Sequence, residues 1–239
     1  MPSDTFDFYA IFDTKPEEVV VFEVVIVAVL SYLTGSIPSA LWAGKLTRGI
    51  DIREHGSGNV GTTNTFRVLG WKAGVAVAAV DLWKGWFSAQ YIAKLVPHHP
   101  EYHVVVSMMA GIVAVIGHMF PLYSGFKGGK GALTAGGVML GVVPISALLA
   151  IGTFLVLLFT TRYASVASML AAISFPFYSL LGLDKSIHDG PYIFAAGIIL
   201  PLFVVVKHRS NIGRLLRGTE NRLPPFFGKK NEPPPEEEA

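Results

Sequence analysis

The sequence predicts an all-α integral membrane protein of about seven transmembrane helices, some of them short. Three observations carry this. The chain is 51% hydrophobic and only 15% charged, whereas a soluble domain of similar size carries about a quarter charged residues. Its apolar residues gather into runs that approach the roughly 20 residues needed to cross a bilayer. Its Lys and Arg gather between those runs, so their distribution says more than the formal charge of +2. That scatter of cations in short loops also argues against nucleic-acid binding. There is no cysteine, which excludes disulfides, thiolate nucleophiles and cysteine metal sites. Residues 1–18 are an acidic segment expected to be exposed, and 19–222 form the membrane domain. The Pro/Glu-rich tail, 223–239, is expected to be disordered.

The N-terminus carries Asp4, Asp7 and Asp13 and no basic region. The first apolar run, Val19 to Ala43, therefore reads as a retained span and not as a cleaved signal peptide. Gly35-Ser36-Ile37-Pro38-Ser39 lies in its second half. It reads as a kink with close helix packing, the alternative being a lining for a lipid groove. Residues 44–72 form a polar loop with Lys45, Arg48, Arg53, Arg67 and Lys72 against Asp51 and Glu54. A second span runs from Ala73 to Val96. The turn after it, Pro97-His98-His99-Pro100-Glu101, has no Lys or Arg. A third span, His103 to Leu122, leads into Gly125-Phe126-Lys127-Gly128-Gly129-Lys130-Gly131.

The run from Ala132 to Thr160 decides the topology. As a single helix it would reach about 43 Å, long for a hydrocarbon core of about 30 Å. Gly141-Val142-Val143-Pro144 offers a break. Cytoplasmic loops carry the Lys and Arg excess. One crossing would place Arg162 and the basic segment Lys207 to Arg222 opposite the loops 44–72 and 123–131. A hairpin bent near Pro144, with arms of about 12–16 residues, puts all of them inside and is preferred. Spans at Ala164 to Leu183 and Pro191 to Val206 follow, separated by a turn with Asp184, Lys185 and Asp189. The expected topology has the N-terminus outside, the C-terminus cytoplasmic, and the active-site loops on the cytoplasmic face.

The glycine-lysine stretch is the strongest chemical signal. Four glycines in seven residues let the backbone turn its N–H groups toward a ligand, and Lys127 and Lys130 add positive charge. A shaped phosphate pocket, lined by Gly125, Gly128, Gly129 and Gly131, is favoured over a basic loop that only meets lipid headgroups. It is not a P-loop. Gly125 stands one residue too close to Gly129-Lys130, and Gly131 replaces the Ser/Thr that would hold magnesium.

Gly56-Ser57-Gly58-Asn59-Val60-Gly61-Thr62-Thr63-Asn64 contains a formal G-x-G-x-x-G. A dinucleotide fingerprint needs an apolar strand before it, and Asp51-Ile52-Arg53-Glu54-His55 is not one. The stretch reads either as a tight hydrogen-bonded loop or as an anion or polyol site. In the second reading Ser57 and Asn59 supply hydrogen bonds and Arg67 clamps a phosphate. In Arg162-Tyr163-Ala164-Ser165-Val166-Ala167-Ser168, the two serines share a helix face, for packing or for a ligand. His208 and Asn211 share another at the membrane edge. His208 could donate to a phosphate or act as a base, while Arg214, Arg217 and Arg222 read as positive-inside anchors. Asp81 and Lys84, three apart within a span, read as a mutual structural pair. His118 reads as a structural histidine. No cluster of His and carboxylates has metal-ligand spacing, so no metal is expected, and no cofactor.

Taken in order, six pieces resemble the acyl-phosphate-dependent glycerol-3-phosphate acyltransferases, the PlsY family. They are Gly-Ser-Ile-Pro-Ser, Gly-Ser-Gly-Asn-Val-Gly-Thr-Thr-Asn, Gly-His-Met-Phe-Pro, Gly-Phe-Lys-Gly-Gly-Lys-Gly, Arg-Tyr-Ala-Ser-Val-Ala-Ser and His-Arg-Ser-Asn-Ile, between about residues 31 and 222. The resemblance implies a seven-span enzyme of the bacterial inner membrane with its site on the cytoplasmic side. It implies acyl transfer from acyl phosphate to the sn-1 hydroxyl of glycerol 3-phosphate, giving lysophosphatidic acid and phosphate. By motif position, it assigns substrate contacts to Ser57, Arg67, Lys130, Ser168, His208 and Asn211, with the glycine loop holding the acyl-phosphate phosphoryl group. Ser165 is added on the face it shares with Ser168.

The partners expected are glycerol 3-phosphate, acyl phosphate and membrane lipid; the sequence does not give the oligomeric state, and a monomer is favoured. An acyl-CoA-dependent enzyme would typically carry a His-x4-Asp pair, and none of the seven histidines has Asp five residues later. The alternative class is a membrane transporter of phosphate or another small organic anion. Transporters often show inverted repeats and midplane sites. No repeat is evident here, and the polar motifs cluster at one face.

Overall fold

The computed structural model describes residues 16–96, 103–184 and 190–223. The acidic residues 1–15, the turn 97–102, Lys185 to Asp189 and the tail from 224 onward lie outside the described residues. Every α-helix among the described residues follows an apolar run or one of the polar motifs: α1 (Pro16–Gly35), α2 (Ser39–Arg48), α3 (Thr62–Leu69), α4 (Trp71–Gln90), α5 (His103–Met119), α6 (Ala132–Val142), α7 (Pro144–Thr161), α8 (Ala164–Ser179), α9 (Gly190–Lys207) and α10 (Arg209–Leu216).

Three stretches are long and apolar enough to cross a membrane: Val21–Arg48, His103–Ser124 and Pro144–Thr161. The pair α9 and α10, bent by 58°, would make a fourth. Helices α6 and α8 are shorter but apolar. Helix α4 has the length of a span and carries the buried Asp81 and Lys84. The seven apolar runs thus all fold as helices. The first does so in two pieces, because Pro38 and the turn at Ser36 interrupt it before α2 resumes.

The run from 132 to 160 divides where the break predicts. α6 ends at Val142, and α7 begins with Pro144 at its first position, where a missing N–H costs nothing. The arms are 11 and 18 residues, less even than expected. Asp184 caps α7, accepting from the Ile145 and Ser146 N–H groups at 2.9 and 3.0 Å and from the Ser146 hydroxyl at 2.6 Å. Helix α6 lies chiefly against α4, and α7 chiefly against α8.

The residues 44–72 are more ordered than a polar loop. They hold the end of α2, a 3-10 turn at Ile52–Glu54 and the whole of α3. Nothing in the hydroxyl-rich stretch has an apolar period, so α3 was not legible there.

The core lies between α4, α5, α6, α8 and α9, around Val115, Met119, Val138, Met139, Phe175, Leu200 and Val204. Glycines set the approach of the helices. A Cβ on Gly35 would strike the Ala114 backbone, one on Gly117 the Tyr32 carbonyl, and one on Gly85 the Thr134 carbonyl. In lipid, where tails compete equally for apolar surface, such close backbone contact is a main source of helix association.

Gly85→Val is therefore expected to destabilise the protein by about 1–3 kcal/mol or more, because backbone must move to admit it. Gly152→Ala on α7, where an added Cβ meets nothing within 4 Å, is expected to be neutral or stabilising by about 0.5–1 kcal/mol. Thermal unfolding in detergent separates the two.

Candidate active site

The first polar segment is built around Asn64, a residue with no role assigned from sequence. Its side chain is 1% exposed. Its Oδ1 accepts from the Ser57 N–H at 2.8 Å, and its Nδ2 donates to the Ile52 and His55 carbonyls at 3.2 and 3.0 Å. Gly56 and Gly58 supply the left-handed turns on either side of Ser57. The Ser57 side chain is left exposed at the rim, with Asn59 half-buried beside it. Asp51 caps the 3-10 turn and grips Arg53 at 2.6 Å. The Arg53 guanidinium, by hydrogen bonding first and charge second, holds the Asp51 carboxyl down to about 2. Arg53 also donates to the Ser124 carbonyl at 3.4 Å, tying this segment to the edge of the glycine loop.

The glycine loop is shaped by its own backbone. Gly125 and Phe126 are both left-handed, with φ of 66° and 61°, and Gly131 closes the loop at 78°. A bulky side chain at positive φ is a strained position, held here by its surroundings. The Phe126 N–H donates to the Pro121 carbonyl at 2.9 Å and the Gly129 N–H to the His118 carbonyl at 3.1 Å. Among the described residues, the N–H groups of Lys127, Gly128, Lys130 and Gly131 make no backbone hydrogen bond. They are followed at once by the N-terminus of α6. Free N–H groups along such a loop form a nest for an anion.

Lys130 leaves this loop toward the C-terminal segment. Its Nζ donates to the Asn211 Oδ1. Asn211 Nδ2 donates in turn to Glu220 Oε1 at 2.6 Å, which also accepts from the Ser165 hydroxyl at 2.6 Å. The Arg214 Nε closes the group on Glu220 Oε2 at 2.7 Å. An amide thus stands between the ammonium and the carboxylate. Lys130 is anchored without being neutralised by direct pairing, and Glu220 spends its charge on Arg214. Burial, then the charges of Arg214 and Arg67, push Lys130 down to about 8, against the pull of Glu220. Burial alone would raise the Glu220 carboxyl, but the hydrogen bonds from Ser165, Asn211 and Arg214 outweigh it and hold it below the usual range.

His208 sits just beyond α9, at the bend into α10. Its Nδ1 lies 2.7 Å from the Val204 carbonyl. A carbonyl only accepts, so Nδ1 carries the proton and Nε2 is the open nitrogen. Burial, and next the charge of Lys130, lower its pKa to about 4, so near neutrality the imidazole is uncharged and weakly basic.

The structure therefore brings Lys130, Ser165, His208 and Asn211 together with Arg67 close enough to act on Lys130 electrostatically. Ser168 lies half-buried one turn beyond Ser165. Among the described residues, no hydrogen bond joins the side chains of Ser57, Asn59, Arg67 or Ser168 to the Lys130 group. Sequence reasoning missed Glu220 and read Arg214 only as an anchor. The available signal was that Glu220 is the sole acidic residue between Gly190 and Leu223, and a lone carboxylate among cations needs a reason. Among the described residues, no group of three His, Cys, Asp or Glu side chains could hold a metal ion.

Cations, amides and hydroxyls beside a glycine loop with unpaired N–H groups, on a frame of apolar helices long enough to cross a membrane, describe a membrane protein with a candidate anion site. The family profile described as glycerol-3-phosphate acyltransferase matches residues 25–218. The chain belongs to that family. It is 45% identical over 220 residues to the glycerol-3-phosphate acyltransferase of Chlorobium phaeobacteroides, covering 81% of this chain and 94% of that protein. It is 44% identical over 228 residues to the enzyme of Chlorobaculum tepidum, covering 86% and 97%. Among solved structures it is similar to PlsY (YgiH), an integral membrane glycerol 3-phosphate acyltransferase, in its glycerol 3-phosphate form. The TM-score is 0.72 with 33% identity, covering 84% of this chain and 96% of that one. The lysophosphatidic acid form of PlsY matches at the same TM-score with 34% identity, covering 87% and 97%.

Glu220→Ala is expected to cost about 3–5 kcal/mol, because it leaves Arg214 and two buried donors without an acceptor. Ser165→Ala removes one donor and is expected to cost about 1 kcal/mol. The folded carboxyl is depressed, so its contribution is present above the ordinary value of 4.5 and lost as pH falls through the folded pKa. Thermal melts of parent and variants from pH 7 downward should therefore keep their separation to about the ordinary value of 4.5 and narrow only below it, as pH falls through the folded pKa.

Proposed function

We propose that this acyltransferase moves a fatty acyl group from acyl phosphate to the sn-1 hydroxyl of glycerol 3-phosphate, releasing lysophosphatidic acid and inorganic phosphate. The observation that carries this is the Lys130 bridge. One half-buried cation joins the glycine nest to Asn211, so two candidate anion-binding segments share one positive charge. That suits a reaction which must bring two phosphate-bearing substrates together.

Acyl phosphate is a mixed anhydride, so its leaving group needs little assistance. The work is to offset charge and orient a hydroxyl. The N–H groups of loop 125–131 and Lys127 hold the acyl-phosphate phosphoryl group. Lys130 and Arg67 face the charge that builds on the tetrahedral intermediate. Ser57, Asn59, Ser165, Ser168, His208 and Asn211 complete the substrate pocket, with His208 and Asn211 fixing glycerol 3-phosphate.

The attacking hydroxyl oxygen forms its bond to the acyl carbonyl carbon. The bond from that carbon to the phosphate oxygen then breaks, and the hydroxyl proton passes to a phosphate oxygen of the substrates. Two features support that route for the proton. His208 is a weak base at about 4, and the oxygens of Glu220 are occupied by three donors. The charge distribution supports a cytoplasmic site in a bacterial inner membrane, with the N-terminus outside.

Purified protein given glycerol 3-phosphate is expected to turn over with palmitoyl phosphate, unaffected by EDTA, and not with palmitoyl-CoA. Turnover with the thioester alone would overturn the donor assignment. Phosphate flux into proteoliposomes without lipid product would point to a transporter.

His208→Gln is expected to keep kcat within about tenfold of the parent, whereas loss of a general base costs about 10²–10⁴. Lys130 binds anions only as the cation. In the free enzyme kcat/KM should therefore fall as pH rises through about 8. Lys130→Arg, charged throughout, should lower the rate and abolish that fall.

A further inference from the structure

Two spans carry buried ionisable groups that the chemistry above does not use. Asp81 and Lys84 on α4 are 2% and 1% exposed, and His118 on α5 is 8% exposed. Asp81 Oδ1 lies 2.9 Å from Lys84 Nζ and 3.5 Å from His118 Nδ1, and accepts from the Ser39 hydroxyl at 2.7 Å. Asp81 Oδ2 accepts from the Thr62 hydroxyl at 3.4 Å. Lys84 Nζ also donates to the Ile37 carbonyl at 3.1 Å, inside the break between α1 and α2. One carboxylate, halfway along α4, thus meets the starts of α2 and α3 and the end of α5.

The desolvation of such a cluster is costly, and apolar residues of the same size often stabilise as well or better. A role beyond stability is therefore worth seeking, and His118 indicates where. Its backbone carbonyl accepts the Gly129 N–H at 3.1 Å. A Cβ on Gly129 would run into His118 Nε2 and the Val60 carbonyl, and one on Gly128 into the His118 carbonyl and the Pro121 ring. The imidazole edge thus lies against Gly129, at the point where the Val60 carbonyl of the first polar segment also approaches the loop. Asp81 Oδ1 faces that ring 3.5 Å from Nδ1, and a carboxylate, which can only accept, favours the proton on that nitrogen.

We propose that Asp81, Lys84 and His118 form a buried positioning unit for the acyl-phosphate loop, setting the loop's shape through His118 and its distance from the Ser57 segment through Thr62. None of the three touches the reacting atoms. The inference rests on the assignment of loop 125–131 to acyl phosphate.

The test compares KM for palmitoyl phosphate, KM for glycerol 3-phosphate and kcat in folded, monodisperse His118→Ala, His118→Asn and Gly128→Ala. Gly128→Ala deforms the loop directly and so checks the assignment on its own. In His118→Ala, KM for acyl phosphate is expected to rise about tenfold or more, since a displacement of about 1 Å has effects of this size. KM for glycerol 3-phosphate should stay within about twofold. His118→Asn, whose amide can replace Nδ1 toward Asp81, is expected to recover to within about threefold of the parent. If His118→Ala does not fold, Asp81→Asn carries the comparison, with the same selective rise expected.

If Gly128→Ala moves KM for acyl phosphate but the His118 and Asp81 variants change neither constant, or both alike, the positioning unit is overturned and the loop assignment stands. If Gly128→Ala raises KM for glycerol 3-phosphate instead, the loop assignment falls and this inference falls with it.

Discussion

A cation meant for a phosphate must be anchored without being neutralised. At the edge of a membrane this is difficult, because a buried ammonium favours a carboxylate partner or the loss of its proton. The Lys130–Asn211–Glu220 chain meets both demands. The amide accepts from the ammonium and passes orientation to the carboxylate, while Arg214 takes up the carboxylate's charge. Ser165, 55 residues earlier in the chain than Glu220, is drawn to the same oxygen. The glycine loop, the start of α8, α10 and the segment after α10 are thus fixed relative to one another by one set of hydrogen bonds.

That set needs a frame that does not shift. The frame comes from close backbone contact at Gly35, Gly85 and Gly117 and from the buried Asp81 cluster behind the loops. Asp184 pins the start of α7 to the chain beyond α8. The polar segments are short because they are clamped at several points, Asn64 doing for the first what His118 does for the second. Asn64 is a polar side chain buried among backbone groups that it satisfies, whereas His118 holds the Gly129 N–H through its backbone carbonyl and sets its ring edge against Gly129.

The helices were largely legible in the sequence. Apolar runs of membrane-spanning length have few alternatives, and Pro144 after a glycine-containing turn marked the break in the fourth run. Helix α3 was not legible, because Thr62 to Leu69 has no apolar stripe and owes its place to Asn64 and the Asp81–Thr62 contact. At the site, residue types and motif order brought Lys130, His208, Asn211 and Ser165 into view, but not the geometry among them. Glu220 escaped notice because its partners lie on two separate segments, Ser165 on α8 and Asn211 and Arg214 on α10, and spacing along the chain carries no trace of such an encounter. Asp81 and Lys84 were visible as a pair through their three-residue spacing. Their link to His118 was not, since it crosses from one helix to another.

The most direct measurement is a structure of the protein with a non-hydrolysable acyl phosphonate and glycerol 3-phosphate bound together. The expected result is a phosphonate on the free N–H groups of loop 125–131, with the Lys130 ammonium between it and the second phosphate beside His208 and Asn211. A phosphonate bound away from the loop, or a Lys130 turned from both anions, would contradict the view that one anchored cation unites the two substrate sites.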